Sequence, residues 1–162
     1  MTCRTFRLPL LIAAALPALA GCGGQSDTAA VAAEVRTQAL GVVAAYNAQD
    51  AHRAAAYDAS DYVGVYHGSP NTIGPAADEA GMKAQMAAAK VDWQLGTGKV
   101  TVAKAGDLAV FEAPYTFVIT IPSAPVATER GTWIAIFKRQ DGAMKLWRSI
   151  ASDTAPPKPS GS

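Results

Sequence analysis

From Thr28 onward the chain is alanine-rich and sets Val31, Val35, Val42, Val43 and Tyr46 at helical spacing. With Asp27 or Thr28 as N-cap, this pattern predicts a first helix ending near Asn47. After the turn at residues 47–50, Asp50 predicts the cap of a shorter helix running through Tyr57. Residues 62–67 then alternate as a strand does, with Tyr62, Gly64 and Tyr66 on one face and Val63, Val65 and His67 on the other. Residues 68–75 read as a loop by composition. Pro75 suits the first turn of a third helix, Asp78 and Glu79 favour its positive dipole end, and Met82 and Met86 form an i, i+4 edge.

Beyond Val91 the period becomes two. Trp93 and Leu95 share one parity, Val100 and Val102 take the other, and Gly96-Thr97-Gly98 lies between them, which predicts a bulge or bend in one long strand. A turn at residues 105–107 leads into a strand over 108–121, where Pro114 marks a bulge or an edge. Strands over 128–139 and 144–152 are joined across Asp141-Gly142, a strong hairpin signal. The order is helix, helix, strand, helix and a four-stranded meander, which predicts an α+β domain whose curved antiparallel sheet packs on the first helix.

The N-terminus carries a different signal. Arg4 and Arg7 precede an apolar run too short to span a bilayer, and small residues follow, as in an export signal covering residues 1–21. Its removal takes Cys3 and leaves Cys22 as the one cysteine, which excludes an intrachain disulfide. It also removes two of the 14 basic residues and none of the 13 acidic ones, so the formal charge moves from +1 to −1. No basic stripe for nucleic acid exists, and no partner of that class is expected.

Leu19-Ala20-Gly21-Cys22 resembles the bacterial lipobox, in which the cysteine is lipidated and becomes the new N-terminus. The resemblance implies a protein anchored in the cell envelope by lipid. Gly23 after the cysteine favours the outer membrane, with the protein facing the periplasm. The alternative is an ordinary secretory signal cut near Ala20, leaving Cys22 as a free thiol. Residues 22–27 form a polar tether, less than about 20 Å long even when extended. Residues 28–153 form the domain and residues 154–162 a disordered tail.

Two stretches resemble the nuclear transport factor 2-like superfamily, which includes SnoaL-like proteins and ketosteroid isomerases. They are VVAAYNAQDAHRAAAYDASDYVGVYHG (42–68) and GTWIAIFKRQDGAMKLWRSIASD (131–153). The resemblance covers residues 28–153 and implies a cone-shaped fold, with N-terminal helices packed in a curved antiparallel sheet. In ketosteroid isomerases a carboxylate base shuttles a proton while a tyrosine and a protonated acid stabilise the oxyanion. By the resemblance, the tyrosine falls at Val42 and the base near Tyr66, and no acid occurs between residues 130 and 140. Steroid-type isomerisation is therefore not expected, while a rearranged base at His67 or Asp61 stays open.

Several residues carry candidate chemistry. His67 is a general-base candidate at a strand end, or a histidine bonded to a loop. Its face could be the cavity or the other side of the sheet. His52 reads as a surface residue. Two histidines without a metal motif predict no metal site, and no cofactor is expected. Tyr57, Asp58 and Asp61 read as turn and capping residues. Arg148 and Asp153 would lie at a cavity mouth or on an exposed polar face.

Tyr46, Tyr66, Trp93, Tyr115 and Trp133 sit on elements surrounding the cone, so they either line a site for a small hydrophobic or aromatic ligand or fill the core. Trp147 on the outer sheet face marks a candidate homodimer surface. Three functions are expected from this set. The first is a lipid-anchored protein binding a small hydrophobic molecule. The second is a lyase or isomerase with His67 or Asp61 as base and Tyr66 nearby. The third is an envelope assembly module docking through its sheet.

Cys22→Ser is expected to block both acylation and signal cleavage. Metabolic labelling with a fatty-acid probe, read with the mass of the mature chain, checks this. Normal processing with undiminished anchoring would refute the lipid assignment.

Overall fold

The computed structural model describes residues 27–154. The expected export signal with Cys3, the expected tether from Cys22 up to residue 26 and residues 155–162 of the expected tail lie outside the described residues. Helix α1 spans Thr28–Asn47, and the Asp27 carboxylate caps it by accepting from the backbone amides of Ala29 and Ala30. Its buried stripe is Val31, Val35, Ala39, Val42, Val43 and Tyr46. Helix α2 (Ala51–Ala55) is capped by Asp50, which accepts from the Arg53 amide, and buries its small alanine face.

Strand β1 (Asp58–Tyr66) and the two-residue β2 (Thr72–Ile73) precede helix α3 (Pro75–Ala88). Strands β3 (Lys90–Leu95), β4 (Lys99–Val102), β5 (Leu108–Thr120), β6 (Ala127–Gln140) and β7 (Ala143–Asp153) complete the chain. They form one sheet in the order β2-β1-β7-β6-β5-β3, with β4 also paired to β5. Every pairing is antiparallel except β1 with β7, so the first strand lies parallel to the last.

The expected long bent strand is two strands instead. β3 and β4 both pair with β5 and are separated at residues 96–98. The break follows from close approach: a Cβ at Gly98 would meet the Phe111 ring at 2.4 Å. Opposite the break sits Pro114, whose carbonyl accepts from the Gly96 amide. Its missing N–H faces the same gap, where no ladder bond is needed, and pairing with β6 continues through Pro114↔Thr132 without a shift. β2 is a further difference, lying inside the stretch read as a loop. β1 also begins at Asp58, ahead of the expected start, and α2 stops at Ala55 rather than Tyr57.

The sheet curls around α1, which is fixed by polar contacts at both ends. Glu34 accepts from the Met144 amide (2.7 Å) and from the Arg139 guanidinium (3.0 Å). At the other end the Asn47 amide donates to the Trp93 carbonyl (2.9 Å) and accepts from the Trp93 N–H (2.8 Å). Asn47 thus satisfies backbone groups on an edge strand that would otherwise lie open to pairing. Between α1 and the sheet lie Val35, Phe111, Trp133, Phe137 and Met144, all essentially inaccessible.

One irregularity orients the interior. In the β6–β7 pairing Phe137 faces Leu146 but Ile136 faces Arg148, so Trp147 is an extra residue in β7. Before the bulge Met144 and Leu146 are buried, and after it Ser149 is. The extra residue therefore switches parity and turns Ser149 inward.

Candidate functional site

A cavity of about 470 Å³ opens between the concave sheet, the C-terminal half of α1 and the inner side of α3. Its apolar wall is an aromatic assembly. Trp93 meets Tyr46, Phe117 and Trp133 edge-on at ring separations of 5.5, 5.3 and 4.9 Å. Phe117 in turn lies 4.8 Å from Tyr115. Such edge-to-face geometry is the favoured one and braces each ring against its neighbours. Helix α3 closes one side with Asp78, Met82 and Gln85, which share a helical face. None of its residues is fully buried, so it covers the cavity without joining the core.

The polar wall runs from α3 to β7. The hydroxyls of Tyr62 and Tyr66 are 2.7 Å apart, and Tyr66 donates onward to Ser149 Oγ at 3.4 Å. Ser149 Oγ also accepts from Trp133 Nε1 at 2.9 Å. Gly64, on the same face of β1, leaves room for both tyrosines, because a Cβ there would meet their side chains at 2.7 and 2.9 Å. Elsewhere the Tyr46 hydroxyl donates to Gln85 Oε1 and the Tyr115 hydroxyl to Glu129 Oε1.

At the inner end of this chain two acids meet. Asp58, only 8 % exposed, and Asp78 are both held well above the usual carboxylate range. Burial is the leading cause for each, and the charge of Asp78 raises Asp58 further against the opposing pull of Lys145. Oδ2 of Asp58 has no hydrogen-bond partner among the described residues. Two carboxyls so placed, Asp58 buried and Asp78 half-buried, are satisfied by retaining a proton, which belongs to the pair rather than to either residue. Burial and the Asp78 charge also push the Tyr66 phenol up to about 12, so it stays a neutral donor. Tyr46, Tyr62 and Tyr115 are raised too, with burial foremost.

Tyr46, Tyr66, Trp93, Tyr115 and Trp133 all lie on this one cavity. His67 stands where the cavity meets solvent, its side chain 77 % exposed and Nε2 3.9 Å from Asp153 Oδ2. Asp153 lines the cavity, whereas Arg148 lies on the outer face over the Trp147 ring, 4.0 Å from its centroid. The expectation for Asp61 is corrected. It lies outside the cavity, where its carboxylate accepts from Trp147 Nε1 and pairs with Lys138. That pairing holds it below the usual carboxylate range, the opposite of what a base in a dry site needs.

Asp58 is likewise not a turn residue but a buried acid. Trp147 is half-covered by Arg148 and Lys138 rather than bare. His52 is exposed and pairs with Glu79. No group of three or more metal-binding side chains occurs among the described residues.

Three acids of the site escaped sequence reasoning, as did Gln85, Phe117 and Ser149. Asp78 shares the helical spacing of Met82 and Gln85, a signal that was present. Glu129 shares strand parity with Gly131 and Trp133, one residue outside the stretch in which an inward acid was sought. Asp58 had no such signal, because the β1–β7 register shifts between Asp58 and Val63.

Comparison with solved structures gives the architecture a name. A nuclear transport factor 2-like protein with a cystatin-like fold from Novosphingobium aromaticivorans superposes with a TM-score of 0.64 at 20% identity, covering 75% of this chain and 80% of that one. A ketosteroid isomerase-like protein from Erwinia carotovora atroseptica gives 0.66 at 16%, covering 77% and 97%. The chain has the nuclear transport factor 2-like fold. A candidate dehydratase of the nuclear transport factor 2-like family from Streptomyces avermitilis shares this fold with a TM-score of 0.69 at 18% identity, covering 79% and 99%. No family model matches the sequence, and the comparison with curated proteins found no match either. Within this cone, Val42 and Tyr66 line the cavity at the positions where the resemblance put a tyrosine and a base, and the buried residues of β6 are Gly131, Trp133, Ala135 and Phe137.

The acid pair makes stability depend on pH with a defined sign. Both carboxyls bind their proton more tightly in the folded state, so the pair's contribution to stability is fully present below the unfolded carboxylate range and is lost as pH rises from about 4 through the folded pair's titration. The slope is bounded at about 1.4 kcal/mol per pH unit for each proton retained. Urea unfolding across this range is expected to show the wild type losing stability relative to Asp58→Asn. A difference that stays constant with pH would contradict the shared proton.

Proposed function

We propose that the protein is a lipid-anchored envelope protein whose cone binds one small, largely apolar molecule. The cavity carries this reading. Its volume of about 470 Å³ falls within the range of small-molecule sites, and it combines an aromatic wall with a few convergent polar groups. The body of such a ligand packs against Trp93, Phe117, Tyr115 and Met82. Its polar end meets Tyr66, Ser149 and Asp78, two neutral hydroxyls and a member of a carboxyl pair. With a tether so short, the cone works close to the outer membrane, where apolar molecules concentrate. No described helix is long and apolar enough to cross a membrane.

The lyase or isomerase reading has less support. Asp61 is outside the cavity, and His67 stands in solvent at the rim rather than beside the aromatic wall. The enzyme-class names carried by the ketosteroid isomerase-like and candidate dehydratase structures belong to those proteins, with which this chain shares the cone at 16% and 18% identity.

Organic extraction of the full chain purified from membranes, followed by mass spectrometry, is expected to release a small apolar molecule at near-stoichiometric yield. A Val42→Trp variant, which fills the cavity beside Tyr46, is expected to lose it. Recovery of the same molecule at the same yield from the filled variant would contradict binding in the cone.

A further inference from the structure

The charged groups on the cavity wall have one sign. Asp78, Glu129 and Asp153 line it, His67 stands at its rim, and no lysine or arginine is among the lining residues. Four basic side chains of the surrounding elements are engaged elsewhere. Lys83 of α3 pairs with Glu79, Lys145 of β7 donates to the Ala56 carbonyl at 2.7 Å, and Lys138 of β6 pairs with Asp61 on the outer face. Arg148 of β7 stacks on Trp147 on that same outer face.

The same wall carries six aromatic rings, Tyr46, Tyr66, Trp93, Tyr115, Phe117 and Trp133. An aromatic face carries the negative part of the ring quadrupole, so a cavity enclosed by rings attracts a cation even before a carboxyl contributes. An ammonium group taken from water needs an opposite charge and hydrogen-bond acceptors to offset its desolvation. Asp78 lies on one wall, and Glu129 and Asp153 act together on Tyr115 at another. An anionic ligand would meet the same three acids with no basic side chain to receive it. A neutral ligand would be met by the rings and by the Tyr66 and Ser149 hydroxyls, and would draw nothing from the charge of the acids.

Resting on the reading that the cone binds a small molecule, we infer that the molecule is an organic ammonium, an apolar body carrying a protonated or quaternary amine. The body lies among Trp93, Phe117 and Met82, and the amine is held by the acids of the wall and the faces of the neighbouring rings. Asp78 and Glu129 are thereby assigned as the residues that select for charge.

Three probes with one apolar body separate this inference from the reading beneath it: phenylbutylamine, phenylbutanol and phenylbutanoate. Each is titrated into the purified full chain and followed by the fluorescence of Trp93 and Trp133 in the cavity wall. The amine is expected to bind at least about tenfold more tightly than the alcohol, the size of one desolvated cation–π or charge-assisted contact, with the carboxylate weakest. In Asp78→Asn, and separately in Glu129→Gln, the amine-to-alcohol preference is expected to shrink to about threefold or less.

An alcohol that binds as tightly as the amine, or a preference untouched by both substitutions, would overturn the ammonium assignment and leave apolar binding standing. Failure of all three probes would overturn the binding reading as well.

Discussion

Two rings of the cavity wall converge on a single hydroxyl. Trp133 Nε1 and the Tyr66 hydroxyl both donate to Ser149 Oγ, and Ser149 faces them only because β7 carries one extra residue at Trp147. Without that bulge the parity set by Met144 and Leu146 would continue, and Ser149 would point to the outer face. Trp133 would then bury an indole N–H with no acceptor, at a cost of about 1–3 kcal/mol. Tyr66 would lose the contact that links the hydroxyl chain from Tyr62 to β7. The bulge, rather than any one side chain, couples the shape of the sheet to the polarity of the cavity.

The same economy of geometry explains why the cone stays open. Rings that meet edge-on hold one another in fixed orientations, and Trp93 is braced in this way by Tyr46, Phe117 and Trp133 at once. Asn47 fixes the backbone of Trp93 from α1 through two hydrogen bonds, which holds the strand that carries this ring against the helix. α3, with no fully buried residue, then covers the opening while contributing Asp78, Met82 and Gln85 to the wall.

The helices were legible because their signals are local. Asp27, Asp50 and Pro75 mark starts by capping and φ restriction, and each stands at the helix start it indicates. The cone resemblance and the five aromatic positions followed from element order and alternation. What could not be read depends on pairing between distant strands. The parallel contact of β1 with β7, the register shift that buries Asp58, and the bulge at Trp147 each arise only when the sheet closes. The acids were missed for a related reason. Asp78 and Glu129 look like surface charges one by one and become a wall only when α3 and β6 face the same space.

Ser149 is the anchor of that wall. Hydrogen exchange of the three tryptophan indole N–H groups, followed by NMR in wild type and Ser149→Ala, tests it most directly. The Trp133 indole is expected to exchange slowly in the wild type and to be shifted and faster-exchanging in the variant, with stability lower by about 1–3 kcal/mol. Indole signals and exchange rates that coincide in the two proteins would contradict it.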